Sequence, residues 1–141
     1  MWDIETGREV LTINIEDGVT TVAMSPDGLF VAAGSLDKSV RVWDTRGGHL
    51  CERLDGAEGH KDSVYSVAFA PSGRELVSGS LDKTIKMWEY GDYRNMVPQG
   101  SRVGKCIRTF EGHKVTATPG YHIQDNLTLF VGLCAQCRID A

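Results

Sequence analysis

Gly34-Ser35-Leu36-Asp37-Lys38-Ser39-Val40-Arg41-Val42-Trp43-Asp44 returns later in the chain as Gly79-Ser80-Leu81-Asp82-Lys83-Thr84-Ile85-Lys86-Met87-Trp88-Glu89, an offset of 45 positions. The same offset relates Val19 to Val64, Val22 to Val67, Ala23 to Ala68, Pro26 to Pro71 and Gly28 to Gly73. Trp2-Asp3 precedes Trp43-Asp44 by 41 positions and is a further occurrence of the ending. A register of this length, held over a whole unit, marks a repeat protein whose units bury their faces on one another.

Within each unit the residues read as short strands joined by turns. Val19–Met24 is β-branched and uncharged, the pattern of a strand buried on both faces. Ser25-Pro26-Asp27-Gly28 is a type I turn, with Pro at the second position and Gly at the fourth. Leu29–Ala33, Ser39–Trp43 and residues 49–54 complete a four-stranded unit, with Ser35–Lys38 as the central turn. In the second unit the strands are Ser63–Phe69, Arg74–Ser78, Thr84–Trp88 and Lys105–Phe110, with residues 90–104 as an exposed loop. Residues 8–15 alternate polar and apolar and read as an outer strand of a preceding unit. A four-stranded unit of about 40–45 residues ending in Trp-Asp is a β-propeller blade. The expected fold is all-β, a partial propeller with two complete four-stranded antiparallel blades and remnants of flanking ones. The expected domain is 1–114, comprising a blade remnant at 1–15 and blades at 18–54 and 60–110.

A third unit starts at Glu111-Gly112-His113-Lys114 and then fails. The apolar positions four, seven and nine after the histidine become Ala117, Gly120 and His122, and Pro119 falls mid-strand. Residues 115–141 carry no turn phrase, and read-through by a retained intron or a frameshift is the expected origin of this tail. A sector of two blades leaves apolar faces uncovered, with Val22, Val67 and Phe69 as lining residues. Marginal folding or self-association of the isolated chain follows from that expectation.

The chain has 141 residues, a net charge of −4, 24% charged and 41% hydrophobic residues. That is the composition of a globular protein without a general nucleic-acid surface. No signal peptide is visible after Met1, and the apolar run from Leu127 to Ala135 is too short to span a bilayer. The four cysteines read as small hydrophobes of a reducing compartment. Cys134 and Cys137 form one CxxC, half of a zinc site, with only His113 and His122 nearby in sequence. Neither a metal nor another cofactor is expected, and the Asn126-Leu127-Thr128 sequon reads as chance. There is no phosphate-binding Gly loop and no His-Glu-x-x-His.

Residues 19–27, 32–44, 59–69 and 78–89 closely resemble the WD-repeat propeller of the fungal Tup-type transcriptional corepressor family, over Trp2 to about Lys114. The resemblance implies a nuclear, non-enzymatic interaction module that docks DNA-bound repressor proteins and histone tails. It implies no direct nucleic-acid, membrane or small-molecule partner. Other WD scaffolds, such as a G-protein β-like subunit or a ubiquitin-ligase receptor, are the rival reading, as is a truncated gene product without independent function.

The resemblance also assigns residues. His60, Ser78, Asp82 and Trp88 match a tetrad that forms a hydrogen-bonded chain inside a blade, giving each buried polar group a partner. The first copy keeps only Asp37 and Trp43, because Ile15 and Ala33 stand at the His and Ser positions. The second blade is therefore expected to be the better ordered. His60, Ser78 and Asp82 could also be read as a hydrolase triad, but no nucleophile elbow surrounds the serine. Partners are expected at Ser63, Tyr65 and Leu81 in the second copy and at Gly18, Thr20 and Leu36 in the first. Tyr65 and Leu81 would be an exposed anchor pair there.

Overall fold

The computed structural model describes residues 1–90 and 104–112. Two four-stranded antiparallel sheets follow one another along the chain. The first contains β1 (Val19–Met24), β2 (Phe30–Ser35), β3 (Val40–Asp44) and β4 (Leu50–Leu54). The second contains β5 (Val64–Phe69), β6 (Glu75–Ser80), β7 (Ile85–Glu89) and β8 (Lys105–Phe110). Strands adjacent in sequence are adjacent in space, so each sheet is a meander, as the local turn chemistry requires. One short 3-10 turn, Gly56–Glu58, joins the sheets. The fold is all-β, two complete antiparallel blades.

The turns repeat as faithfully as the strands. Gly28 N–H donates to Ser25 O and Gly73 N–H to Ala70 O, both at 2.9 Å. Both glycines have positive φ, +72° and +65°, which glycine adopts without steric cost. The bulges also repeat: Thr20 stands between the pairs Val19–Ser35 and Thr21–Gly34, and Tyr65 between Val64–Ser80 and Ser66–Gly79.

The core lies in the seam between the blades. Phe30, Ala32, Val40, Val42 and Leu54 of the first blade pack against Val64, Val67, Phe69, Leu76, Trp88 and Tyr90 of the second. The Tyr90 ring meets Phe30 edge-on at 5.8 Å and Phe69 edge-on at 5.6 Å. Its hydroxyl donates to Gly73 O at 2.6 Å, so the polar tip is satisfied while the ring stays in the core. Thr20 Oγ1 donates to Val64 O across the seam. Gly34 lets the backbones approach, since a Cβ there would stand 2.7 Å from Val64 Cγ1. At the outer edge, Glu52 accepts from Gly104 N–H and Glu58 accepts from Cys106 N–H, tying the start of β8 to the first blade.

Four expectations need correction. Residues 8–15 do not form an outer strand; they make one bridge, Glu9 to Trp2, and further backbone bonds from Val10 and Leu11 to Met1. β1 is not buried on both faces, since Val19, Val22 and Met24 are all exposed. Val67 and Phe69 do not line an open face; both are buried in the seam. The 45-position register explains the last two findings. Val22 and Val67 occupy the same place in their blades, but only Val67 has a neighbouring blade against it. The expected exposed loop over 90–104 is also wrong at its start, since Tyr90 is buried in the core; residues 91–103, the failed third repeat after Gly112, the Cys134–Cys137 pair and the tail lie outside the described residues.

Equivalent substitutions at Val22 and Val67 should therefore have unequal effects. Val67 is 7% exposed and Val22 67%. Val67→Asp places a carboxylate in the seam and should cost about 3 kcal/mol or more. Val22→Asp should stay within about 0.5 kcal/mol. Urea unfolding of both variants measures the difference.

Candidate functional site

Each β2–β3 turn is held by the same bonds. In the first blade Lys38 N–H donates to Ser35 O, Asp37 N–H to Ser35 Oγ, and Ser39 N–H and Oγ–H both to Asp37 Oδ1. In the second, Lys83 N–H donates to Ser80 O, Asp82 N–H to Ser80 Oγ, and Thr84 N–H and Oγ1–H both to Asp82 Oδ1. An Asp two residues before a hydroxyl residue closes such a turn through its side chain. Ser35, Ser39, Ser80 and Thr84 stand in the repeated phrase, but the sequence reading gave them no role in closing the turns.

The remaining Asp82 oxygen enters a chain of four side chains. Trp88 Nε1–H donates to Ser78 Oγ at 2.7 Å. Ser78 Oγ lies 2.7 Å from His60 Nε2, and His60 Nδ1 lies 2.9 Å from Asp82 Oδ2. Indole can only donate and carboxylate can only accept, so Ser78 accepts from Trp88 and His60 donates from Nδ1 to Asp82. Burial favours the neutral imidazole, in which Nε2 accepts the Ser78 hydroxyl proton. It pushes the pKa of His60 below the ordinary 6.5, more than the adjacent Asp82 raises it. Burial opposes ionisation of Asp82 too, but bonds from Thr84, Lys61 N–H and His60 hold its pKa at about 2.

Ser, His and Asp are thus spaced like a hydrolase triad. Ser78 is nevertheless 0% exposed, and its oxygen already takes the indole N–H. A nucleophile has to reach its substrate, and this one is sealed inside the blade.

The first blade solves the same problem differently. Asp37 has no histidine beside it. Arg41 Nη2 donates to it, and Arg53 Nη2 lies 3.6 Å away. Burial raises its pKa, but Ser39, Arg41 and Ser35 together hold it at about 2. Sequence reasoning missed this ion pair, although Arg41 stands four positions after Asp37, on the strand that follows the turn. Trp43 is buried, with no Ser or His standing beside it at the tetrad positions.

The residues expected to meet partners gather at the edge formed by these turns. Leu36 N–H donates to Gly18 O at 3.0 Å and Leu81 N–H to Ser63 O at 2.9 Å. Ser63 Oγ–H also donates to Leu36 O at 3.2 Å. Ser63 therefore bridges the two turns, and Gly18, Leu36, Ser63 and Leu81 come together. Leu36 is 48% exposed. Leu81 is only half-buried rather than open. Tyr65 is half-buried as well and packs on Val77, Ile85 and Met87, so it does not pair with Leu81 as an exposed anchor. Thr20, the equivalent bulge residue, is engaged in the seam. Among the described residues no cluster of His, Cys, Asp and Glu could hold a metal, and no helix is long and apolar enough to cross a membrane.

The pH dependence of stability follows from these shifts. Below about 6.5 the unfolded chain takes up a proton that folded His60 resists, so stability falls as pH falls. Asp37 and Asp82 stabilise above their ordinary value of 3.8, and that contribution is lost as pH falls toward about 2. Thermal melting should be flat near neutral pH, decline from about pH 6.5, and decline again below about pH 4. His60→Ala should cost roughly 2–4 kcal/mol and remove the upper step while leaving the lower one.

Comparison with known proteins accords with this geometry. The model of the WD domain, G-beta repeat family matches residues 7–44 and 52–89. The chain is 67% identical over 114 residues to the transcriptional repressor rco-1 of Neurospora crassa, covering 78% of this chain and 18% of that protein. It is 39% identical over 46 residues to a coronin-like protein of Saccharomyces cerevisiae, covering 33% of this chain and 7% of that protein. It is 44% identical over 46 residues to the U5 small nuclear ribonucleoprotein 40 kDa protein of Pongo abelii, covering 33% and 13%. The chain spans less than a fifth of the length of these curated relatives. The first match contains β1 to β3 and the second runs from within β4 through β7, so each matched repeat starts ahead of its blade and stops before the blade's last strand. Two matched repeats over more than half of its length place the chain in the WD-repeat family.

Proposed function

We propose that this chain is a non-enzymatic interaction module of a nuclear transcriptional corepressor, and that it docks DNA-bound repressor proteins and histone tails. The observation that carries the reading is the 67% identity to a transcriptional repressor over 114 residues. The domain assignment is part of the same proposal: residues 1–114 act as the propeller sector, and 115–141 lie outside the family pattern. The contact residues are Gly18, Leu36, Ser63 and Leu81 at the turn edge, with Thr20 and Tyr65 as supports beneath it. Propeller turns suit this role because a rigid sheet holds them while their tips remain free to contact another chain.

The scaffold role fits the chemistry of the site. The Ser78–His60–Asp82 array is buried, while the turn edge exposes Leu36, Lys38 and Lys83 over backbone that is already hydrogen-bonded. Such a surface binds through side-chain contacts around an apolar anchor.

The test is a titration of the isotope-labelled chain with peptides tiling a set of sequence-specific repressors and histone amino-terminal tails. At least one peptide should bind, with shifts centred on Leu36, Ser63 and Leu81. Leu36→Asp should weaken that binding at least about tenfold without lowering the melting temperature. A footprint confined to β4 and β8, or binding that Leu36→Asp leaves intact, would exclude this edge.

A further inference from the structure

Lys38 and Lys83 sit at the tips of the two turns with φ of +73° and +68°. They are the only non-glycine residues with positive φ among the described residues. Glycine would adopt that conformation without strain, and asparagine at less cost than lysine. The chain places lysine there twice, 45 positions apart. Backbone strain held at a rigid, exposed position points to use of the side chain.

Neither ammonium group has a partner among the described residues. Other lysines nearby are tied down: Lys61 Nζ donates to Ala57 O at 3.1 Å and Lys86 Nζ to Thr109 Oγ1 at 3.0 Å. The aspartates of the same turns do not neutralise the tips. Asp37 is occupied by Ser39 and Arg41, and Asp82 by Thr84, His60 and Lys61 N–H. Each tip therefore offers one free cation next to one leucine.

The two tips are also held in one relation to each other. Ser63 takes Leu81 N–H on its carbonyl and gives its hydroxyl proton to Leu36 O. A Cβ on Gly18 would stand 2.9 Å from Leu36 Cδ1, so this glycine lets the leucine side chain lie against the loop before β1. The turn N–H groups are all bonded internally, so a ligand cannot be held by strand addition here. Recognition has to come from the side chains.

We propose that the paired Leu-Asp-Lys turns form one docking surface for an extended acidic peptide, with an apolar side chain against Leu36 and Leu81 and carboxylates on Lys38 and Lys83. This deepens, and rests on, the assignment of the turn edge as the partner face. It selects acidic segments of repressors over basic histone tails. Exposed Glu16 and Asp17 stand before β1 at the same edge. They set the limit of the acidic segment on that side by like-charge repulsion.

The test uses the full 141-residue chain and fluorescence anisotropy. The probes are labelled Glu-Asp-Leu-Leu-Asp-Glu and its basic counterpart Lys-Arg-Leu-Leu-Arg-Lys. The acidic probe should bind, and should weaken several-fold between about 0.05 M and about 0.3 M salt. The double variant Lys38→Gly with Lys83→Gly should melt at the same or a higher temperature, because it relieves the positive-φ strain. The same variant should bind the acidic probe at least about tenfold more weakly. Leu36→Ala with Leu81→Ala should also weaken binding while keeping the salt dependence. Unchanged acidic binding in the double glycine variant overturns the proposal. If only the basic probe binds, and Leu36→Asp abolishes that binding, the acidic inference is wrong and the partner face stands. If neither probe nor any repressor peptide binds, both are wrong.

Discussion

The seam between the blades is the contact on which the rest depends. A four-stranded sheet in water has two faces and cannot bury both alone. Here one face of each blade is covered by the other, and Tyr90 closes the joint by touching Phe30 on one side and Phe69 on the other. Gly34 brings the backbones near enough for Thr20 to bond Val64 O. The same approach holds the two β2–β3-type turns side by side, where Ser63 bridges them. The packing of apolar faces thus sets the geometry of the polar edge.

Both blades bury an aspartate at the turn, and each makes it affordable in its own way. The second uses a chain from indole to hydroxyl to imidazole to carboxylate, in which the end groups set the outer two bonds and burial keeps the imidazole neutral. The first replaces the imidazole with guanidinium groups from Arg41 and Arg53. An ion pair that is partly open to water is screened, whereas the buried chain is not. The two solutions respond to acid at different points, since only the second contains a histidine. They still produce turns with matching bonds and matching φ at the lysine.

The turn edge is useful because it is rigid without being inert. Its backbone groups are satisfied by Ser, Asp and Thr side chains, so the edge does not invite indiscriminate strand pairing. The side chains of Leu36, Leu81, Lys38 and Lys83 are not used in closing the turns. Preorganisation of this kind lowers the entropy cost of binding. The triad-like array beneath contributes by holding the turn, and its serine is out of reach of any substrate.

The sequence by itself determined the local structure. The repeat of Gly-Ser-Leu-Asp-Lys and its Trp ending defined two units, and turn chemistry at Ser25–Gly28 and Ser35–Lys38 placed the strands to within a residue or two. These signals are legible because they act over a few neighbouring residues. Of the tetrad, Asp82 and Trp88 recur in the repeated phrase, whereas His60 and Ser78 were legible only through the family resemblance, since Ile15 and Ala33 stand at their places in the first copy. Burial was not legible. Val22 and Val67 are the same residue at the same place in the repeat, yet one is exposed and the other lies in the core. Tyr65 packs on Val77, Ile85 and Met87 of its own sheet, which one-dimensional spacing does not reveal. Residues 8–15 carry strand alternation but lack a partner ladder. The Ser63 bridge and the shared lysine strain likewise arose only when two distant turns met. Periodicity fixes which residues can face a neighbour; only the tertiary structure decides whether a neighbour is there.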